Sequence, residues 1–284
     1  MWVVLVLAAL AVGASATNCS CATMDWATCN ENPCSCFLLV GDNDNQMLNC
    51  TTLIPKCIMR KAEIYRARTS VDFHALDNAG LFNPECENDG KFKAKQCKNP
   101  KECWCVNSAG SRRTRVEDDN LKCEELVETE MARLVLTLKQ VTGKVNENEL
   151  KILKDVFQKR YNFIKDIGKM IDFEYYKKEH QIVINVRKSE GDTDMTALAY
   201  YIERDVTGLP LFKGQGKFEM IVGSRKLEVE NINTYYVDEK PPTFPTTIPV
   251  GGIIGIVLLV VVILCCSLAL YRCVRKRQGQ RTGH

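Results

Sequence analysis

Two uninterrupted apolar runs flank a long stretch of mixed polar and apolar sequence. The first, residues 1–16, ends in Ala14-Ser15-Ala16, a small-x-small pattern typical of signal peptidase sites, so it predicts a signal peptide. The second, residues 250–271, carries no charge and would reach about 33 Å as a helix, enough to span a bilayer. Arginine and lysine crowd the following residues, 272–284. This asymmetry predicts a type I single-pass membrane protein with a short basic cytoplasmic tail.

The region 124–240 shows both helical and strand periodicity. Alternation at 171–175 and 182–186, and again around 218–222 and 227–229, predicts two β-hairpins, with a closing strand at 235–237. Three sets of apolar residues at helical spacing predict helices. Asn146 and Asn148 are candidate caps for the second helix. The predicted domain is α+β with a mainly antiparallel sheet. The helical sets are Met131, Leu134, Val135 and Leu138; Leu150, Leu153 and Phe157; and Met195, Leu198, Ile202 and Val206.

Prolines interrupt the sequence between this domain and the second apolar run. Residues 241–249 contain four prolines, which fix φ and remove backbone donors. We predict a short, stiff stalk there.

Cysteine is distributed very unevenly. Twelve of the 15 cysteines lie between Cys19 and Cys123, and the next is Cys265. An even set this dense indicates disulfides formed in an oxidising compartment. Six of them fall within 17–56, a segment too small to fold stably without disulfides, and spacing alone does not choose among their pairings. A zinc site is disfavoured because the three histidines, His74, His180 and His284, are scattered.

A second set of six cysteines occupies 57–123 and has a recognisable motif. Gln96-Cys97 is followed by Cys103-Trp104-Cys105-Val106 and then by Gly110. This segment resembles a thyroglobulin type-1 repeat, a small module in which a tryptophan between half-cystines covers the disulfides. The resemblance implies that the cysteines pair in order: Cys57 with Cys86, Cys97 with Cys103, and Cys105 with Cys123.

The order of modules resembles the epithelial cell adhesion molecule (EpCAM) family, which includes the trophoblast cell-surface antigen paralogue. The likeness extends over the segments 77–82, 92–97, 199–206 and 235–240. It implies an epithelial plasma-membrane protein for adhesion and signalling, with lateral membrane partners and no enzymatic activity. It also implies a cis dimer in which the loop after Cys105 meets the partner's C-terminal domain. The first module would pair Cys19 with Cys34, Cys21 with Cys50, and Cys29 with Cys36.

Other functional classes have less support. Some thyroglobulin type-1 repeats inhibit cysteine proteases, so a membrane-anchored inhibitor is the alternative function.

The chain has no nucleophile elbow, phosphate loop or His-Glu-x-x-His motif, so we expect neither an enzyme nor a cofactor. The net charge is +3 and the tail's five cations exceed it, so the remainder is negative and nucleic acid is not an expected partner. Gly223-Ser224 is similar to a self-cleaving SEA-domain bond, but the Arg225-Lys226 that follows favours an ordinary turn.

Two kinds of processing site stand out in the ectodomain. Arg112-Arg113 lies in a predicted exposed loop, where a trypsin-like protease could cut and the Cys105 to Cys123 bridge would hold the fragments together. The alternative is an uncut basic loop. Asn18 and Asn49 each begin an Asn-Cys-Ser/Thr sequence and are candidate N-glycosylation sites.

The second apolar run has two candidate features of its own. Gly251 and Gly255 share one helix face, where they would allow close contact with another membrane helix. Cys273 stands beside the basic cluster and is a candidate for palmitoylation, whereas Cys265 and Cys266 lie deeper and are interpreted as lipid-facing.

Overall fold

The computed structural model describes residues 19–69, 82–140, 143–189, 193–242, 259–268 and 272. The chain divides into two compact units, Met1–Pro242 and Thr243–His284. The predicted signal peptide, most of the stalk and most of 250–271 lie outside the described residues. Residues 259–268 are helical. Across the described part of the chain, no helix is both long and apolar enough to cross a membrane.

The N-terminal module is a small three-stranded antiparallel sheet. Strands β1 (Thr28–Glu31), β2 (Cys34–Gly41) and β3 (Asp44–Met47) lie in the order β1-β2-β3. Leu38 and Val40 of β2 point into the core, while Leu39 between them is exposed. Disulfides join Cys19 to Cys34, Cys21 to Cys50 and Cys29 to Cys36, the pairs that the family resemblance implies.

The next module begins with helix α1 (Lys56–Thr69) and continues into a hairpin of β4 (Lys95–Asn99) and β5 (Glu102–Cys105). Its own buried cluster is small, consisting of Cys57, Phe92 and Val106. A core of that size needs covalent support. It has the three sequential disulfides that the motif implies, Cys57–Cys86, Cys97–Cys103 and Cys105–Cys123.

The C-terminal domain is a four-stranded antiparallel sheet with helices on one face. The strands lie in the order β11 (Val229–Asp238), β6 (Thr129–Leu138), β8 (Gln181–Arg187) and β7 (Ile171–Tyr176). Helix α4 (Met195–Val206) begins at the N-cap Asp194. The predicted second helix, first hairpin, third helix, closing strand and α+β class are confirmed. The elements are β6 (Thr129–Leu138), α2 (Glu147–Arg160), α3 (Ile167–Met170), β7 (Ile171–Tyr176), β8 (Gln181–Arg187), α4 (Met195–Val206), β9 (Ile221–Val222), β10 (Arg225–Lys226) and β11 (Val229–Asp238).

The helix predicted over 131–138 is wrong, because this segment is the central strand β6. Ala132, Leu134, Leu136 and Leu138 are all buried, which is a period of two rather than of 3.6. Met131 and Val135 lie on the other face of the strand. Together with Leu134 and Leu138 they mimic the spacing of one helix face, which is why the sequence predicted a helix. Pairing with β8 and β11 on both sides overrides that local pattern.

The second predicted hairpin is present, but its two strands are shorter than the alternating segments 218–222 and 227–229 that predicted it. Strands β9 and β10 pair through Val222 and Arg225 around a two-residue turn. Gly223 opens the turn at φ +62, a conformation that glycine adopts without strain. Gly223-Ser224 is therefore the ordinary turn that the following basic residues favoured.

The N-terminal module and the C-terminal domain share one hydrophobic core. Buried residues of β2, of α1 and of the sheet form a single cluster that includes Leu38, Met59 and Leu134. At its centre the hydroxyl of Tyr201 donates to the carbonyl of Thr23 at 2.6 Å and accepts from the amide of Ile54 at 3.4 Å. Packing between the two parts thus supplements the disulfides.

Candidate functional site

The loop after β5, residues 106–111, packs against the C-terminal domain. Gly110 turns the chain at φ +77, and a Cβ there would come within 2.5 Å of the Phe92 ring, so the motif needs glycine. Asn107 is buried, and its Oδ1 accepts from the amides of Ala109 and Ser111 at 3.1 and 2.8 Å. Its Nδ2 donates to the Oδ1 of Asp238 at 2.6 Å. The hydrogen bonds of the loop thereby fix the last residue of β11.

Arg113 completes this connection, and we call its contacts the Arg113 clasp. Its Nε donates to Asp238 Oδ2 at 2.8 Å, and its Nη2 donates to the carbonyls of Lys240 and Pro241 at 2.7 and 2.9 Å. The side chains of Arg113 and Asp238 are only 12% and 9% exposed. Partly buried, multiply bonded pairs of this kind are the stronger ion pairs in proteins. The clasp ties the thyroglobulin-like module to the residues that lead into the stalk.

Arg112 is placed differently from its neighbour. It is exposed, its guanidinium lies 4.9 Å from the centre of the Trp104 ring, and its backbone forms a β-bridge with Val106. The prediction that both arginines occupy an exposed loop is therefore wrong for Arg113. A trypsin-like protease binds a free arginine side chain, which Arg112 can offer and Arg113 cannot while the clasp is closed.

Lys56, at the start of α1, lies in the same junction. Its ammonium donates to the carbonyl of Ala109 at 2.8 Å and to the hydroxyl of Tyr236 at 2.9 Å, and it lies 4.1 Å from the centre of that ring. Burial lowers the pKa of Lys56 to about 8, against a partial opposing effect of Glu203. Burial likewise raises the pKa of Tyr236, which keeps this phenol neutral.

Helices α1 and α4 are joined by a second polar cluster. Glu63 accepts hydrogen bonds from Arg60 at 3.0 Å and from the hydroxyl of Tyr200, and it pairs with Arg204 at 2.9 Å. Burial raises the pKa of Tyr200. Glu63 Oε1 and Arg204 Nε are buried without a hydrogen bond to the described residues, so the cluster holds the two helices together through its ion pairs and the Tyr200 contact.

The outer face of the four-stranded sheet is open. Helices α2, α3 and α4 pack on the opposite face. On the outer face Val183 and Asn185 of β8 are buried, and the exposed part lies along β11. Tyr235 and Val237 of β11 are 57% and 43% exposed. They stand opposite Arg133 and Met131 of β6, and Arg187 of β8 lies beyond Met131. The face is partly apolar and carries Arg187 together with the Arg133–Glu174 pair, a mixture found on interaction surfaces.

The remaining candidate residues are more dispersed. Asn49 is exposed, just beyond β3. Asn18, Gly251, Gly255 and Cys273 lie outside the described residues. Cys265 and Cys266 are exposed and not disulfide-bonded. Two groups of close ligand atoms, Cys19–Cys34–Cys36 and Cys97–Cys103–Asp119, consist of half-cystines and one carboxylate, and half-cystines offer no thiolate for zinc.

The sequence did not identify Lys56 and Asp238 as residues of this junction. Each stands far along the chain from the loop it contacts, so no spacing signal could have connected them. Strand periodicity held one signal for Asp238. At a period of two it shares a face of β11 with Thr234 and Tyr236, and this face is the less exposed one.

These features define a class: a disulfide-rich protein with a thyroglobulin type-1 module docked on an α+β domain. Residues 55–123 match the thyroglobulin type-1 repeat, and residues 129–238 match the family described as EPCAM/Trop-2, C-terminal. The chain belongs to the EpCAM/Trop-2 family.

Its similarity to individual family members extends over most of the chain. It is 36% identical to human tumor-associated calcium signal transducer 2 over 267 residues, covering 89% of this chain and 82% of the relative. It is 32% identical to mouse epithelial cell adhesion molecule, covering 88% of this chain and 82% of the relative. The human epithelial cell adhesion molecule is also 32% identical, with coverage of 80% and 73%. These relatives are named for signal transduction and adhesion, not for catalysis.

Proposed function

We propose that this chain is a non-enzymatic adhesion and signalling glycoprotein of the epithelial plasma membrane. The apolar segment 250–271 would be its single transmembrane helix, with the N-terminus outside. Support comes from family membership, from six disulfides suited to an oxidising compartment, and from the basic residues after the apolar segment.

The function would depend on self-association as a cis dimer. The open outer face of the sheet is the observation that carries this proposal. The loop after Cys105 of a second copy is the occupant that the family resemblance implies, and we assign the contact to its part 111–122. That loop presents Val116, 41% exposed, beside the acidic run Glu117-Asp118-Asp119, which complements Arg187 on the sheet.

Chemical cross-linking of the full-length protein on cells tests this arrangement. Tyr235→Glu places a negative charge where the acidic loop would dock, and we expect it to abolish the cross-linked dimer. Ile221→Glu is the matched control, because Ile221 is 44% exposed but belongs to β9. Equal cross-linking of all three proteins would reject the proposed surface.

Adhesion itself needs a separate measurement. Cells that lack adhesion receptors of their own are transfected with the chain and labelled in two colours, and we expect the two populations to aggregate with each other. Aggregates that also contain untransfected cells would indicate a different partner. If expression leaves the cells dispersed, the adhesive role is wrong even where the cis dimer forms.

The alternative function, inhibition of cysteine proteases, is disfavoured. The 106–111 edge of the thyroglobulin module is covered by the chain's own C-terminal domain, where Asn107 bonds to Asp238 and Ser108 bonds to Thr129. An inhibitory loop must be free to enter a protease cleft. Competitive inhibition of a cathepsin at micromolar concentration or below would restore this alternative.

Several further assignments belong to the same proposal. We retain the module limits 17–56, 57–123 and 124–240, the stalk 241–249 and the tail 272–284. Cleavage beside Arg112 and Arg113, N-glycans on Asn18 and Asn49, a helix contact through Gly251 and Gly255, and palmitoylation of Cys273 complete the account, together with lateral membrane partners.

A further inference from the structure

A cleft of about 300 Å³ separates the N-terminal module from the thyroglobulin module. One wall is the segment 46–49 and the other is the turn 88–90. The floor is apolar and includes Leu53, Ile54 and Ile58. Its volume is at the lower end of the range for small-molecule sites. The cleft is therefore large enough for a single sugar ring.

The turn 88–90 contacts Pro55 at the base of this cleft. A Cβ added to Gly90 would come within 2.8 Å of the Pro55 ring, so the backbone of the turn lies directly against it. Gly90 also has φ +86. A group that fills the cleft would therefore touch both of its walls.

Asn49 belongs to the cleft wall and is the first residue of an Asn-Cys-Thr sequence. Its Oδ1 accepts from the amide of Thr51 at 3.1 Å and from the Thr51 hydroxyl at 2.6 Å. Its Nδ2 donates to no atom among the described residues. The oxygen is thus fixed, and the nitrogen that would carry a glycan is the free end of the amide.

We propose that the first N-acetylglucosamine of a glycan on Asn49 lies in this cleft and joins the two modules. This inference rests on the glycosylation of Asn49 proposed above. In that step Nδ2 loses a proton and bonds to the anomeric carbon of a lipid-linked oligosaccharide, and the lipid pyrophosphate leaves.

The chemistry of the walls suits an N-acetylated sugar. Gln46, Asn88 and Asp89 supply donors and acceptors for its acetamide and hydroxyls. Met47, 64% exposed, offers an apolar surface for the C–H face of the ring. Burial of that side chain under the sugar removes apolar area from water and stabilises both walls together.

The test uses the full-length chain carrying Asn18→Gln, purified in detergent from cells that make only high-mannose glycans. Endoglycosidase H leaves one N-acetylglucosamine, whereas peptide N-glycosidase F removes it and converts Asn49 to aspartate. A third form, from cells treated with an inhibitor of N-glycosylation, keeps Asn49 bare. Thermal unfolding and hydrogen exchange at the amides of 88–91 are compared.

We expect the intact and trimmed forms to unfold at the same temperature and both bare forms about 2–4 °C lower, with faster exchange at 88–91. Met47→Ala with Asn88→Ala should remove this difference without changing charge. A trimmed protein that behaves like the bare forms would overturn the inference. Mass spectrometry showing Asn49 unmodified would also overturn it, while leaving the adhesion proposal to its own tests.

Discussion

At the residue scale, Asp205 shows how one carboxylate can hold two helices. It is 1% exposed and accepts from Arg160 at 2.5 and 2.7 Å and from the Tyr161 hydroxyl at 2.7 Å. Burial raises the pKa of Tyr161, so this phenol remains a donor. Asp205→Asn leaves the guanidinium buried without its counter-ion.

We expect Asp205→Asn to lower the free energy of unfolding by about 3–5 kcal/mol, measured by denaturant titration with disulfides intact. Asp155→Asn is the control, because Asp155 is exposed on α2 and should change little. Equal effects of the two substitutions would mean that the ion pair is not responsible.

Lys56 predicts a pH dependence with a defined sign. Its pKa is about 8 in the folded chain against an ordinary 10.5, so the unfolded chain binds more protons between these values. Stability contributed by this group therefore rises as pH increases from about 8.

Compared with Lys56→Met, the wild-type chain should gain about 1–2 kcal/mol of relative stability between pH 8 and pH 9.5, partly reduced by solvent screening. Chemical unfolding at several pH values gives this difference. A gap between the two proteins that does not change with pH would contradict the desolvated position of Lys56.

The Arg113 clasp predicts opposite effects for two adjacent arginines. Arg113→Gln removes the hydrogen bonds of the clasp. Each 1.4 kcal/mol of clasp stability that is lost raises the open population about tenfold. Trypsin should therefore cut after Arg112 at least about tenfold faster in this variant. Arg112→Gln should slow cutting at this position. Reducing and non-reducing gels separate the fragments, and a wild-type rate in Arg113→Gln would show that the clasp does not protect the bond.

At the element scale, helix α2 was predictable because its start signal is local. Asn146 accepts from the amide of Glu149 at 3.0 Å, and the Glu149 side chain accepts from the Asn146 amide at 2.9 Å. Asn146 and Asn148 are both candidate caps in the sequence, and in the structure Asn146 is the N-cap. Strand β6 was not predictable in this way, because its strand conformation depends on pairing with β8 and β11, which lie far along the chain.

Substitution of the cap gives a prediction for this element. Asn146→Ala should cost about 1 kcal/mol of unfolding free energy, because it leaves helix N–H groups without an acceptor. Asn148→Ala, two residues later and exposed, should be close to neutral. Denaturant unfolding of both variants checks this, and a larger loss for Asn148→Ala would contradict the observed capping box.

At the scale of the whole molecule, the motif and family resemblance predicted the modules and implied the six disulfide pairs. They did not predict that the N-terminal module and the C-terminal domain share a core, or that Arg113 reaches Asp238. Such contacts join residues more than a hundred positions apart. Local periodicity contains no information about them, and only the assembled fold shows which polar residues become buried together.

The open face of the sheet leads to the most direct test of the central claim. Sedimentation velocity of a secreted fragment ending at Pro242, the end of the first compact unit, measures self-association across concentration. We expect a reversible monomer–dimer equilibrium that Tyr235→Glu shifts to monomer and Ile221→Glu leaves unchanged. A wild-type fragment that stays strictly monomeric at every concentration would contradict the account.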